Sequence, residues 1–250
     1  MILKNKDTSV TAVIFAGGVG TRMHSKDLPK QFLRKHGKPI IAWTIGVFEK
    51  TPCIDNVVVV CNANWLDYCQ SIISEFSLNK VRAVVAGGET GQLSIHNGLL
   101  AAAKLSDPKK TVVLIHDGVR PLIDAGTIER NVASVEEFGS SITCVKAKET
   151  ILVKADDGVE IVPRENVLLA RAPQGFWLSD ILAAHKMALD AGETGCIDSA
   201  TMMKAQGNDL HLIVGPDENI KITTQDDYYS MRSILDSREN NQLYAEGEDE

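Results

Sequence analysis

Three glycines close together, with two fixed cations behind them, make the first group of residues able to do chemistry. The stretch reads Ala16-Gly17-Gly18-Val19-Gly20-Thr21-Arg22-Met23, and Leu28-Pro29-Lys30-Gln31 follows. It comes directly after an apolar run, Thr11 to Phe15. Residues without side chains let backbone amides approach a polyphosphate closely. Arg22 and Lys30 then supply permanent positive charge where phosphoryl transfer builds negative charge on the oxygens around phosphorus. Glycine at a strand-to-helix turn is often structural only, so the two cations carry this reading.

Two rival phosphate loops fail on spacing. The pattern Gly-x-Gly-x-x-Gly, started at Gly18, requires glycine where Met23 stands. It also wants an acid after the second strand, where Cys61-Asn62 occurs. The Gly-Lys-Ser/Thr that closes a P-loop is absent.

Other candidates follow later apolar runs. Gly87-Gly88-Glu89 precedes Ser94, which either caps a helix or faces a ligand. Asp117, in His116-Asp117-Gly118, sits at a strand end where no core packing requires a carboxylate. It suits Mg²⁺, directly or through water, or a ribose hydroxyl; the bland reading is a turn cap. His116 reads as a packing residue, and Arg120 as a salt bridge within its loop or a ligand contact. Lys221 alternates with Ile220 and Ile222, which would place it on the opposite face of a short strand over 219–224.

The elements that must position these residues alternate. Strands are predicted at Thr11–Phe15, Val57–Cys61, Val81–Ala86, Val112–Ile115 and Ile142–Ala147. Helices are predicted at Pro39–Lys50, after a capping Asn64, at Leu93–Leu105, and from a capping Asp124 to Phe138. Such alternation specifies a Rossmann-like α/β fold, a mostly parallel sheet with helices on both faces. Right-handed crossovers then bring the loops after Phe15, Ala86 and Ile115 to one sheet edge, where ligands bind in open α/β sheets. Residues 148–172 differ: two short strands flank Asp156-Asp157-Gly158, the signature of a projecting β-hairpin arm. Beyond it come helices near Leu178–Ala191 and Ser199–Gln206, a strand at Leu210–Val214 and a last helix after Gln225. Residues 1–238 read as a single domain with that arm, and 239–250 as a disordered acidic tail.

Composition narrows the class. The chain has 250 residues, 44% of them hydrophobic and 24% charged, the balance of a soluble globular protein. From Asp236 onward six acids face one base, Arg238, which leaves the preceding residues near neutral. Neither part offers the basic field of a nucleic-acid or anionic-membrane binder. Five scattered cysteines with no Cys-x-x-Cys read as reduced thiols of a cytoplasmic protein. No apolar run is long enough to span a bilayer, and residues 1–10 lack the apolar core of a signal peptide.

With these residues set out, the chain resembles the cytidylyltransferases that join CTP to a polyol phosphate, the family of 2-C-methyl-D-erythritol 4-phosphate cytidylyltransferase. The likeness rests on Gly17-Gly18-Val19-Gly20-Thr21-Arg22-Met23 with Leu28-Pro29-Lys30-Gln31-Phe32, on Gly87-Gly88 with Ser94, and on His116 through Pro121. It continues through Ala172-Pro173-Gln174-Gly175-Phe176 and Asn219-Ile220-Lys221-Ile222-Thr223, so it spans about residues 11 to 238. The step from Arg22 to Lys30 and the run from Asn219 through Asn240 look closer to the ribitol-phosphate branch.

The resemblance implies that a polyol phosphate attacks the α-phosphorus of CTP in line and that pyrophosphate leaves, with Mg²⁺ present. Arg22 and Lys30 match the transition-state stabilisers. Phe15, Ala16, Gly17, Gly18, Gly20, Gly87, Gly88, Glu89, Ser94, Asp117 and Gly118 match the nucleotide-binding positions, with Asp117 also the metal ligand. Arg164, Asp198 and Lys221 match substrate-positioning residues. Asp198 equally suits a helix cap, and Arg164 a solvated arm charge. In that family the arm reaches a neighbouring subunit, which implies a homodimer in which Arg164 completes the partner's site. The ribitol branch implies CDP-ribitol for teichoic acid, capsule or another ribitol-containing glycan. The alternatives are the methylerythritol-phosphate acceptor and a nucleotide-binding module without catalysis. One departure stands out: many members carry an arginine between the glycine pair and the serine, and here the stretch is Glu89-Thr90-Gly91-Gln92-Leu93.

Overall fold

A computed structural model describes residues 7–17, 28–156 and 158–245. Gly18, Gly20 and Arg22 lie outside the described residues.

Strand β1 (Ser9–Ala16) is buried on both faces, which is why Val10 to Ile14 form an unbroken run of residues suited to a core strand. The chain is next described at Leu28 and makes a 3-10 turn, Lys30–Phe32. A short ribbon follows, β2 (Arg34–Lys35) and β3 (Lys38–Pro39), turned by His36 and Gly37 with φ of 49° and 74°. Pro39 then caps α1 (Ile40–Lys50). After β4 (Asn56–Cys61), the cap is Asn62 rather than the expected Asn64: its side chain accepts from the Asn64 N–H and starts a 3-10 turn, Ala63–Trp65, that runs into α2 (Leu66–Glu75).

Strand β5 (Val81–Ala86) leads to α3 (Gly91–Ala102), whose cap is Thr90. Strand β6 (Thr111–Asp117) is followed by α4 (Ala125–Phe138), capped by Asp124 as expected and closed by Gly139 at φ 84°. Next come β7 (Ser140–Lys146) and the predicted arm, β8 (Ile151–Ala155) paired antiparallel with β9 (Gly158–Val162). The remainder is β10 (Leu168–Trp177), α5 (Leu178–Asp190), α6 (Ser199–Ala205), β11 (Leu212–Val214) and α7 (Gln225–Ala245).

The main sheet has the order β11-β7-β10-β6-β1-β4-β5. All neighbouring pairs are parallel except those of β10, which is antiparallel to β6 and to β7. Alternation along β1 sends Val10, Ala12 and Ile14 into a core under α1, α2 and α4, and Val13 into a second core under α3, α5 and α6. A third, small cluster joins Ile40, Val119, Leu122, Ile222 and Met231. Among the described residues no helix is long and apolar enough to cross a membrane.

Three expectations need correction. Strand β10, which contains Pro173 and Gly175, was not among the expected strands. The sheet absorbs Pro173 in a register shift between Ala170 and Gln174, where a missing N–H leaves no ladder position empty. The arm therefore ends before Leu168, not at 172. Residues 219–224 are irregular, not a strand: Ile222 bonds its N–H to Val119 O and buries its side chain in the third cluster. Finally, α7 runs through the expected start of a disordered tail to Ala245.

Candidate active site

The registers bring the three expected loops together. Ala16 lies opposite Cys61, Cys61 opposite Ala86, and Phe15 opposite Asp117, so Gly17, Asn62, Gly87 and Gly118 follow strand ends on one rim.

Asp117 is the electrostatic centre of that rim. It is 5% exposed, yet it keeps two cations: Lys221 Nζ is 2.6 Å from Oδ1, and Arg120 Nε donates to Oδ2 at 2.7 Å. Burial alone would raise the carboxyl; Arg120 and Lys221 outweigh it and hold Asp117 below the ordinary carboxylate range. Arg120 returns to Asp117 because the loop turns at once, with Gly118 N bonded to Phe15 O at 2.9 Å and Arg120 N to Asp117 O at 3.1 Å. A β-carbon at Gly118 would lie 3.1 Å from Ala16 Cβ and 3.3 Å from Phe15 O, so any larger residue would have to push the end of β1 aside by a few tenths of an ångström.

The irregular segment carrying Lys221 is fixed at both ends. Asn219 Nδ2 donates to Ala172 O, Arg120 Nη1 donates to Asn219 O, and Ile222 N donates to Val119 O. Lys221 Nζ also stands 5.8 Å from the centre of the Phe15 ring. His116 is wholly buried beside Phe48, and burial pulls its pKa down to about 4, so it is a neutral packing residue as the sequence suggested.

Two hollows open along the rim, and the end of β1 borders both. One, about 390 Å³, is lined by Gly17, Asn62 to Asn64 and Gly87 to Glu89. Beneath it Ser94 Oγ accepts from Gly88 N at 3.1 Å and donates to Thr90 O at 2.9 Å. Ser94 is therefore not the helix cap; it pins the second loop from below. A β-carbon at Gly87 would come within 2.9 Å of Ser94 Oγ, and one at Gly17 within 3.4 Å.

The other hollow, about 340 Å³, is lined by Phe15, Asp117, Arg120, Arg171, Gln174, Ile197, Asp198, Ser199 and Lys221. Asp198 fills both roles considered for it. Its Oδ1 caps α6 by accepting from Thr201 N, and its Oδ2 accepts from Gln174 Nε2 at 3.0 Å on the wall of the hollow. Ser199 Oγ and Asn219 Oδ1 are buried without a partner among the described residues. Ser199, which lines this hollow, is thereby available to a polar ligand, whereas Asn219 lines neither hollow.

Lys30 sits on the 3-10 turn, which Gln31 anchors to the end of β1 through a 2.8 Å bond from its Nε2 to Ala16 O. Arg164 is not brought to either hollow of its own chain. It lies exposed beyond the arm, with Nη1 bonded to Lys148 O at 3.3 Å. Sequence reasoning missed Arg171 and Gln174, because both belong to the unrecognised strand β10. It also missed the Asn62–Asn64 wall, for which the three consecutive polar or small residues after a buried strand were the available signal.

The rim therefore offers two neighbouring hollows: one walled by glycine backbone, Asn62, Asn64 and Glu89, the other carrying Arg120, Arg171, Lys221 and the ionised Asp117, a charge set suited to an anionic ligand. Comparison with known proteins agrees. Residues 10–237 match the family model described as 2-C-methyl-D-erythritol 4-phosphate cytidylyltransferase. The chain is 53% identical over 235 residues to a ribitol-5-phosphate cytidylyltransferase of Streptococcus agalactiae, covering 93% of this chain and 98% of that protein. It is 46% identical over 236 residues to one of Vibrio parahaemolyticus, covering 94% and 99%. The structure of a 4-diphosphocytidyl-2C-methyl-D-erythritol synthase from Anaerococcus prevotii superposes with a TM-score of 0.79 at 27% identity, covering 92% of this chain and 97% of the other. With the glycine loops, the Asp117 cluster and a family match over nearly the whole chain, the protein belongs to the cytidylyltransferase family represented by the 2-C-methyl-D-erythritol 4-phosphate enzymes.

Proposed function

We propose that this chain transfers the cytidylyl group of CTP to D-ribitol 5-phosphate, forming CDP-ribitol and pyrophosphate. The observation that carries the acceptor is that relatives 53% and 46% identical, across nearly their full lengths, are both named for ribitol 5-phosphate.

In this reading the cytidine triphosphate takes the hollow of Gly17 and Gly87 to Glu89, and the polyol phosphate takes the hollow of Lys221, Arg120 and Asp198. A phosphate oxygen of the polyol attacks the α-phosphorus, a P–O bond forms in line, and the bond to the β-phosphate breaks as pyrophosphate departs. Arg22 and Lys30 stabilise the charge that builds at the α-phosphoryl oxygens. Lys221 orients the incoming phosphate. Asp198, Gln174 and Ser199 offer hydrogen bonds to the hydroxyls of the chain, the kind of polar recognition that discriminates strongly between acceptors.

Mg²⁺ fits Asp117 by the chemistry of its donor: a carboxylate at a strand end that its neighbours keep ionised, with one oxygen held only by the part-exposed Lys221. Magnesium usually takes one or two carboxylates and fills its remaining positions with phosphate oxygens and water. Asp117 would hold the ion directly or through water, and the bound ion would supply charge neutralisation of the triphosphate.

Arg164 acts on the neighbouring copy of a homodimer in this reading. The arm exposes Leu152, Val159 and Ile161 at 63%, 65% and 66%, apolar side chains that a second copy would cover. The free thiols Cys53, Cys61, Cys69, Cys144 and Cys196 suit a reducing cytoplasm.

The test is pyrophosphate release from purified protein, CTP and Mg²⁺ with a panel of polyol phosphates, and light scattering on the same sample. Ribitol 5-phosphate should be used at least tenfold faster than 2-C-methyl-D-erythritol 4-phosphate. The reverse order would reassign the acceptor. No pyrophosphate with any acceptor would leave a nucleotide-binding module without catalysis.

A further inference from the structure

A groove of about 680 Å³ opens between α1, the β2–β3 turn and α7, and none of its lining residues belongs to either hollow of the rim. That volume falls in the range of small-molecule sites. Trp43, Val47, Phe76 and Leu235 form its apolar face, and Lys38, Lys50, Arg238 and Glu239 bring charge to its rim.

Its charge is unusual. Lys38 Nζ is half-buried in the groove, 4.7 Å from the Trp43 ring centre and 5.7 Å from that of Phe76. Among the described residues no carboxylate lies within ion-pair distance of it. Lys50, also lining the groove, adds a second cation and, after burial, is the further cause that lowers the Lys38 pKa. The acids nearby are already engaged: Asp236 by Lys35 and His36, Glu239 by His36 at 3.5 Å, and Glu218 by Arg238 at 2.5 Å.

The backbone makes room for this ammonium. Gly46 stands in the middle of α1, where glycine costs about 1 kcal/mol relative to alanine. A β-carbon there would meet one neighbour, Lys38 Nζ, at 3.1 Å. Lys38 Nζ thus packs over Gly46 within cation–π reach of the Trp43 and Phe76 rings, and no carboxylate among the described residues pairs with it.

We propose that this groove is a second ligand site, which takes a small molecule with an aromatic or aliphatic body and one anionic head, the head meeting Lys38 and Lys50 and the body lying on Trp43, Phe76 and Leu235. An anion over a poorly solvated ammonium supplies the missing counter-charge, and the ring walls remove the body from water.

The test uses 8-anilinonaphthalene-1-sulfonate with the full chain at low salt, followed by its fluorescence. Saturable one-to-one binding is expected, unaffected by saturating CTP with Mg²⁺. Lys38→Met, which keeps the aliphatic stem, should weaken it about tenfold, and Lys50→Met less. The uncharged body alone, N-phenyl-1-naphthylamine, should bind at least tenfold more weakly than the sulfonate. Far-ultraviolet circular dichroism verifies that both variants remain folded. Displacement of the probe by CTP, affinity unchanged in Lys38→Met, or equal binding of the uncharged body would each overturn the proposal.

Discussion

Lys221 Nζ lies 2.6 Å from Asp117 Oδ1, and the two residues differ sharply in exposure: 42% of the lysine side chain is open to solvent, against 7% for the aspartate. The carboxylate is fixed and the ammonium is the mobile partner. Arg120 holds the other oxygen from inside, so releasing Lys221 leaves Asp117 still paired. Lys221 is thus able to exchange Asp117 for an arriving phosphate.

Replacing Lys221 by methionine should therefore act on the acceptor and not on folding. The expected result is a fall in kcat/KM for the polyol phosphate of about 10²–10³, the loss typical of one electrostatic stabiliser. CTP affinity should change by less than about fivefold, and Tm by a few degrees at most, since a half-exposed ion pair contributes little to stability. Steady-state kinetics with each substrate varied in turn checks the separation.

Arg120 should behave in the opposite way. Its side chain is 11% exposed and bonded to Asp117, and its guanidinium also holds Asn219 O. Arg120→Met leaves a buried carboxylate with only the half-exposed Lys221, and breaking such a pair typically costs 3–5 kcal/mol. With Lys221 remaining, about 3 kcal/mol is expected, read as a lower urea midpoint. Arg120→Met combined with Asp117→Asn should recover part of that stability while activity stays lost.

These two residues also mark how far the sequence alone reaches. The glycine loops and Asp117 were legible because each lies at the end of a short strand rich in β-branched residues, and parallel topology then forces the strand ends to converge. Arg120 was ambiguous because its return to Asp117 depends on the tight turn at Gly118, which no spacing rule specifies. Arg171 and Gln174 were hidden because Pro173 and Gly175 disguise β10, and only the register shift against β7 accommodates them. Lys221 was singled out by the resemblance, and its local structure was misread: the alternation of Ile220, Lys221 and Ile222 imitates a strand, whereas Ile222 is bonded to Val119 outside any ladder.

Ser94 offers a test of the nucleotide side. Its hydroxyl takes Gly88 N and gives to Thr90 O, so Ser94→Ala removes both bonds and frees the Gly87–Gly88 turn. A loss of about 0.5–1.5 kcal/mol in stability is expected, the net worth of an ordinary hydrogen bond, because Gly88 is exposed and its N–H can turn to water. KM for CTP should rise about tenfold while KM for the polyol phosphate stays within twofold. Equal changes in both would mean that the second loop does not belong to the nucleotide hollow.

Acid should destabilise the fold through its buried histidines. His116 and His185 are both held neutral, their pKa values lowered to about 4, chiefly by burial, from an ordinary value near 6.5. The unfolded chain therefore binds protons below pH 6.5 that the folded chain refuses until near pH 4, and stability falls as pH drops through that window. Each histidine should contribute about 2 kcal/mol less stability at pH 5 than at pH 7. Asp117 works in the same direction lower down, since its depressed carboxyl stabilises the fold above the ordinary carboxylate pKa and ceases to do so on acidification through its folded value. Urea unfolding at a series of pH values should show uptake of close to two protons between pH 6 and pH 4.5, and His185→Leu should reduce it by about one. A denaturation midpoint that does not move across that interval would mean the two rings are charged, or solvated, in the folded protein.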